Sequence, residues 1–300
     1  MPLTLTPLQP LFGAELRGAD LHREPSPELM AAVNDAVARF AVVVVRDQFI
    51  DDEEQIRFSR CFGPLELPPH MGMTGLKRRL RRELYDVSNL DAEGNFLPPD
   101  SLHHASNRAN EEFHTDSSFN NLPTKWSLLS ARILPAEGGD TWYVDTRAVY
   151  DELPAELKAR AQGAVAEHYF WKTRMRAGYK VISDDMQRAM PAATHPIVRV
   201  IPESGRTALY IGNHATHVIG WPRDEGEKFL QQLNDFAAQP RFIYVHKWRA
   251  GDLVIWDNRC TLHRGAGWDV FKYKRDLRRT TVNESGPEIS STDALGIPPP

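Results

Sequence analysis

The stretch Phe113-His114-Thr115-Asp116-Ser117-Ser118-Phe119 marks the point where the texture of the chain changes. Its aromatic and small polar residues suit a strand or a strand end. On extended backbone, positions i and i+2 point to one face, so His114 and Asp116 can reach a common point while Thr115 faces away. From here on, short β-rich segments alternate with turns, and strands are expected at 126–134, 140–144, 164–170, 196–201, 208–212, 242–248 and 252–256. Many short strands cut by Gly, Pro and Asn argue for a sandwich or a jelly-roll barrel.

Helices interrupt this pattern at 147–162 and at 225–238, where Phe229, Leu230, Leu233 and Phe236 form an apolar stripe. Upstream of residue 113, helix and strand mix. Ser26-Pro27-Glu28 combines a capping hydroxyl, a first-turn proline and an early carboxylate, and Leu29, Val33, Ala36, Val37 and Phe40 then share a face. The run Ala41-Val-Val-Val-Val45 is too short and too β-branched for a helix, which makes it a buried strand. A second helix is expected over 52–62, stopped by Gly63-Pro64. The fold class is mostly β with flanking helices around a double-stranded β-helix, or jelly-roll, core. It forms one domain over 1–300, with a tail from about 286 that is an extended strap or frayed end.

Composition narrows the function. The 300 residues are 41% hydrophobic and 25% charged, which describes an ordinary globular chain. A formal net charge of -4 does not suggest a nucleic-acid partner, and the basic run at 77–82 reads as a solvated helix or loop. No apolar stretch is long enough to span a membrane, and the opening Met1-Pro-Leu-Thr-Leu-Thr lacks the features of a signal peptide, so a cytoplasmic location is expected. Cys61 and Cys260 are too few and unpatterned for a disulfide framework or a zinc site.

The chemistry gathers around His263, which lies 149 positions after His114 in Trp256-Asp-Asn-Arg-Cys-Thr-Leu-His-Arg-Gly265. An apolar strand running into a polar turn places it at a barrel mouth, where residues distant in sequence converge. Two imidazoles and one carboxylate make the facial triad that holds non-heme Fe(II) and leaves positions open for substrate and oxygen. His22-Arg23-Glu24 has the same spacing, but it sits among charges beside Pro25 and Pro27 in a surface turn. The pair His103-His104 reads as surface histidines.

Arg275 offers a fixed positive charge for an anionic cosubstrate, and a guanidinium can grip a carboxylate with two parallel bonds. Thr141 ends the turn Gly138-Gly-Asp-Thr141, where paired glycines let backbone pass close to a ligand.

Taken together, these pieces resemble the taurine and 2,4-dichlorophenoxyacetate dioxygenase family of Fe(II)- and 2-oxoglutarate-dependent oxygenases. The matching segments include Phe58-Ser-Arg-Cys-Phe-Gly-Pro64, the stretch at 113–119, Gly138–Thr141, His195-Pro-Ile-Val-Arg199, Trp256-Asp-Asn-Arg259, His263-Arg264 and Arg275-x-x-x-Arg279. The resemblance implies that His114, Asp116 and His263 bind iron, that Arg275 and Thr141 hold the distal carboxylate of 2-oxoglutarate, and that Arg279 binds the acidic group of the substrate. The spacing from His263 to Arg275 is one residue longer than the family pattern, leaving Lys274 as an alternative. Arg275 keeps the relation to Arg279. The segment from Leu209 to Trp221 resembles the phenoxyacetate branch more than the taurine branch, which implies that His217 and His214 help Arg279 hold a substrate carboxylate, with His70 from the N-terminal region as a further candidate.

The implied reaction uses Fe(II), O2 and 2-oxoglutarate to hydroxylate the carbon beside the ether oxygen of an aryloxyalkanoic acid. The hemiacetal then collapses to a phenol and, from a phenoxyacetate, glyoxylate, with succinate and CO2 from the cosubstrate. The alternative keeps the iron chemistry on an alkylsulfonate, sulfate ester or other small acid. A zinc hydrolase would use the same three ligands but has no need of a second anion site, and a noncatalytic module would have no need of the arginine pair. Family members commonly self-associate, so a homo-oligomer is implied.

Overall fold

The computed structural model describes residues 2–67, 78–178 and 182–285. The hairpin β1 (Thr4–Pro7) and β2 (Ala14–Arg17) leads into α1 (Pro27–Phe40), β3 (Val42–Val45), α2 (Asp52–Arg60), β4 (Tyr85–Ser88) and α3 (Leu102–Ala109). Next come β5 (Thr124–Ile133), β6 (Thr141–Asp145), α4 (Thr146–Glu152), α5 (Ala155–Ala161), β7 (Val165–His168), α6 (Phe170–Arg176) and α7 (Asp184–Ala189). The last third holds β8 (Ala193–Pro196), β9 (Val198–Val200), β10 (Thr207–Leu209), β11 (Ala215–Val218), α8 (Arg223–Ala237), β12 (Ile243–His246), β13 (Leu253–Asp257), β14 (Thr261–Gly265) and β15 (Asp276–Asn283).

Local chemistry explains the well-formed elements. Ser26 Oγ accepts from Leu29 N at 3.1 Å and Pro27 takes the first turn of α1, while Asp51 and Glu54 close a capping box on α2. α1 ends at Ala41, whose φ of 59° turns the chain directly into β3. All four valines of β3 are buried, each contributing roughly 1.5–3 kcal/mol, and the strand is central in a seven-stranded sheet ordered β1-β2-β3-β13-β5-β15-β4.

A smaller sheet, β12-β6-β14, faces it. Val42, Val44, Leu129, Ala131, Val254, Trp256 and Leu277 of the large sheet pack with Tyr143 of the small one. α1 and α2 cover the outer side of the large sheet through Leu29, Val33, Ile56 and Phe58. α4, α5 and α8 cover the small sheet through Val149, Ala161, Phe229 and Leu233. The strand-rich body with flanking helices thus leaves one interior between two sheets, and the functional side chains converge there. No helix among the described residues is long and apolar enough to cross a membrane.

The basic run differs from the solvated face expected of it. Arg79 is largely buried and bonds Asp86 and Asp276 at 2.8–2.9 Å, tying the start of β15 to β4. Lys77 and the tail from 286 lie outside the described residues.

Candidate active site

His114 and His263 are joined before their side chains are considered. Their backbones form an isolated antiparallel bridge, exchanging N–H···O bonds of 3.0 and 2.8 Å, and the imidazole centroids sit 4.2 Å apart. Gly212 permits this approach, because a Cβ there would lie 3.1 Å from His114 Cα and its φ of 124° disfavours any other residue. Past His114 the chain leaves extended geometry, and Ser117 is held at a φ of 52°. That turn brings the Asp116 carboxylate to 4.0 Å from His114 Nε2 and 3.7 Å from His263 Nε2.

One donor atom from each of the three buried residues lies within 4.8 Å of the others. The donor set fits a divalent iron. His114 Nδ1 lies 2.8 Å from the Glu112 carbonyl, which can only accept, so Nδ1 carries the proton and Nε2 presents its lone pair to the cluster. Burial lowers the pKa of His114 and puts His263 well below the ordinary histidine range, which keeps both imidazoles in the neutral, ligating form. Burial pushes the Asp116 carboxyl up, but Arg279 and the two imidazoles outweigh it and hold the group below the usual carboxylate range.

Around this cluster stands a polar scaffold. Ser127 Oγ donates to Asp116 Oδ2 at 2.7 Å and accepts from Asn258 Nδ2 at 2.9 Å. Asn258 Oδ1 accepts from Trp256 Nε1, and its carbonyl accepts from Thr115 Oγ1 at 2.6 Å. These bonds fix the orientation of the carboxylate between the two sheets.

Arg275 precedes β15 and points into the same interior. It is 4% exposed, and its guanidinium meets only two carbonyls, Gly139 at 3.3 Å and Val87 at 3.5 Å, and the Trp268 ring at 4.8 Å. No carboxylate among the described residues pairs with it. Burial pushes its pKa down to about 10. Gly138 and Gly139, both at positive φ, make room: a Cβ on Gly139 would meet Pro135 Cγ at 2.9 Å and Arg275 Nε at 3.4 Å. Lys274 is excluded from this position, since its Nζ is exposed and bonds the Gly94 carbonyl. Thr141 accepts from Trp248 Nε1 at 3.0 Å, leaving its hydroxyl proton to donate elsewhere.

The buried triad thus stands beside an arginine that has no acid partner among the described residues, and comparison with known proteins gives the family. The family model described as Taurine catabolism dioxygenase TauD, TfdA family matches residues 4–281. The chain belongs to this family. It is 41% identical over 279 residues to the alpha-ketoglutarate-dependent 2,4-dichlorophenoxyacetate dioxygenase of Burkholderia sp. (strain RASC), covering 92% of each chain. It is 39% identical over 286 residues to the enzyme of the same name from Cupriavidus pinatubonensis, covering 94% of this chain and 98% of that one. The crystal structure of AAD-2 in complex with Mn(II) and N-oxalylglycine matches with a TM-score of 0.86 at 37% identity, over 96% of this chain and 98% of that chain.

Within this TauD/TfdA chain the remaining expected site residues sit at different distances from the triad. Arg279 donates to Asp116 Oδ1, and its guanidinium carbon lies 4.4 Å over the Tyr85 ring. His214 is buried, with its ring 6.2 Å from His114 and 4.9 Å from Phe119. His217 instead bonds Thr216 Oγ1 at 2.9 Å and faces Glu167 at 3.5 Å, and none of its contacts involves the triad. His70 lies outside the described residues. His22 is half-exposed and paired with Glu54, apart from the site.

The reading of His103 and His104 as surface residues is corrected. His103 Nε2 meets the Ser88 carbonyl at 2.9 Å, and His104 is buried against Leu97 and Phe271. Both anchor α3 and its loop.

Sequence reasoning missed Glu66, Ser127, Asn258 and Tyr143. Glu66 is a buried carboxylate that accepts from Tyr85, Ser117, Asn120 and Thr124 at 2.7–3.3 Å. Asn258 lay inside a quoted motif, and Tyr143 stands two residues after Thr141, so position was a signal for both.

Proposed function

We propose that this chain is an Fe(II)- and 2-oxoglutarate-dependent dioxygenase that hydroxylates the carbon beside the ether oxygen of an aryloxyalkanoic acid such as 2,4-dichlorophenoxyacetate. The observation that carries the reading is the buried His114–Asp116–His263 triad facing an interior that also holds Arg275, a guanidinium with no acid partner among the described residues. A buried positive charge left unpaired by the protein calls for an anion from outside.

The residues divide the work. His114, Asp116 and His263 hold the iron on one side and leave the other for ligands. Arg275 and Thr141 take the distal carboxylate of 2-oxoglutarate, orienting its keto acid toward the triad. When bound, iron with this cosubstrate supplies oxygen activation, yielding succinate and CO2. Arg279 takes the carboxylate of the aryloxy acid. His214, Phe119 and Phe170 offer the aromatic wall against which a substituted ring packs, with ring centroids 4.8–6.4 Å apart. Hydroxylation at the ether carbon gives a hemiacetal, which collapses to a phenol and glyoxylate.

The two facing sheets belong, in this reading, to a single jelly-roll domain that runs through the whole matched region. The two cysteines are unpaired, which suits a reducing cytoplasm.

The test follows phenol and succinate release from 2,4-dichlorophenoxyacetate with Fe(II), ascorbate and 2-oxoglutarate, with His114→Ala as control. Equal amounts of the two products from the wild type alone are expected. Succinate formed only with a sulfonate or sulfate ester would move the substrate to that class, and no succinate with any acid would refute the iron chemistry.

A further inference from the structure

Of the buried polar atoms left without a partner among the described residues, the Tyr143 hydroxyl has no role in the reading above. Tyr143 is 0% exposed, and among the described residues no group bonds its hydroxyl. Leaving a buried hydroxyl unsatisfied destabilises the fold relative to phenylalanine, which would fill the same ring space. The ring is well packed, against Trp256 at 5.5 Å and Tyr244 at 6.3 Å, so packing accounts for the aromatic and not for the oxygen.

Its place in the sheet is informative. Tyr143 pairs directly with His263 across β6 and β14, and the two rings stack at 6.1 Å and 25°. Thr141 lies two residues earlier on β6 and therefore on the same face, and Gly139, two residues earlier again, gives its carbonyl to Arg275. The turn that carries the Arg275 contact thus leads into β6, whose inward face runs from Thr141 to Tyr143 beside His263. Burial raises the phenol pKa well above its ordinary value, and the charges of Asp116 and Arg275 both act on it, in opposite directions. Arg275 Nε is likewise buried and unpartnered.

We infer that the Tyr143 hydroxyl is a third anchor for the cosubstrate, donating a hydrogen bond to the same carboxylate that Arg275 and Thr141 hold. The inference rests on the 2-oxoglutarate reading above and adds a positioning residue to it. A hydroxyl that is orphaned without ligand and satisfied with it ties affinity to occupancy. The ligand-free protein carries the cost, and binding removes it.

The test is Tyr143→Phe in the Mn(II)-loaded protein without oxygen, with calorimetric titration of 2-oxoglutarate and of 2-oxovalerate, which lacks the distal carboxylate. Losing one hydrogen bond to a charged group should weaken 2-oxoglutarate binding roughly 10- to 100-fold. Affinity for 2-oxovalerate should stay within about twofold, because the bond in question is absent there. The thermal midpoint of the ligand-free variant should equal or exceed that of the wild type.

Unchanged 2-oxoglutarate affinity in the variant overturns the inference while leaving the dioxygenase reading intact. Equal weakening of both ligands puts the hydroxyl elsewhere and also overturns it, as does a variant markedly less stable than the wild type, which would reveal a partner within the folded protein. A wild type that binds neither keto acid refutes the dioxygenase reading itself.

Discussion

Arg275→Met should stabilise the ligand-free protein while disabling it. The fall of the guanidinium pKa from 12.5 to about 10 on folding corresponds to about 3 kcal/mol of burial cost. The sign follows from linkage. A base whose pKa is depressed by folding disfavours the folded state wherever the group is charged, and the penalty is relieved only as pH rises from about 10 toward 12.5. At pH 7 the whole cost is present. Methionine fills much of the same space without charge, and loss of the long bonds to the Gly139 and Val87 carbonyls takes back about 1 kcal/mol. The net gain of about 2 kcal/mol should raise the thermal midpoint by about 3 °C in a chain of 300 residues. The same variant should lose 2-oxoglutarate affinity by at least roughly 100-fold, since a buried carboxylate would have no charged partner. Scanning fluorimetry of the Mn(II)-loaded protein with and without 2-oxoglutarate reads both effects at once. A variant several degrees less stable than the wild type, or one that keeps its ligand-induced shift, would refute the account of Arg275 as a charge waiting for an anion.

Ser127→Ala removes the 2.7 Å bond that orients Asp116, and metal affinity should fall roughly 10- to 100-fold in a competition titration, with the fold retained. Gly139→Ala forces a φ of 74° on a residue with a Cβ and crowds Pro135 and Arg275, so unfolding in urea should show a loss of at least about 1–2 kcal/mol, with weaker 2-oxoglutarate binding. His168 is buried with both ring nitrogens unpartnered, and burial, followed by the neighbouring His195, pulls its pKa down to about 3. Because the unfolded chain takes up this proton first, stability should fall as pH drops below 6.5, by about 1.4 kcal/mol between pH 7.5 and 5.5, and His168→Phe should remove that increment from the urea midpoints.

Elements were legible in the sequence where local chemistry and burial agree. α1 begins at its serine cap and Pro27, and Leu29, Val33, Ala36 and Val37 are its buried stripe. The helix expected over 147–162 breaks into α4 and α5 at Leu153-Pro154, because proline cannot donate to the preceding turn. In β15 the Arg275-x-x-x-Arg279 spacing marks the strand, although Asp276 and Arg278 put charges into its pattern. Those charges are satisfied by Arg79 and Asp52, far away in the chain, while Leu277 turns inward to the core. The triad was legible because iron needs particular residue types. Glu66, Ser127 and Asn258 are ordinary polar residues whose significance comes from burial, which only the packed sheets create. Tyr143 looked like one more aromatic in a strand until its hydroxyl was found without a partner.

Charge balance explains why two arginines share one interior. Asp116 and Glu66 bring two negative charges and Arg275 and Arg279 two positive ones, so the buried set is neutral when both acids are ionised. Adding a divalent cation and a dianionic keto acid leaves that balance unchanged. The substrate carboxylate adds one negative charge more. It can be matched locally only by Arg279, which in the ligand-free protein is committed to Asp116 Oδ1. Under the proposed roles a metal and Arg279 would compete for the lone pairs of the Asp116 carboxylate, so a bound metal would loosen the Arg279 contact and leave guanidinium donors for an incoming acid. Burial meanwhile raises the pKa of Glu66, against the pull of the Tyr85 and Ser117 hydrogen bonds and of Arg279. The proposed roles therefore predict an order of assembly, with the metal at the triad first, the keto acid at Arg275 second and the organic acid at Arg279 last, and 2-oxoglutarate titrations with and without Mn(II) should show the metal raising keto-acid affinity.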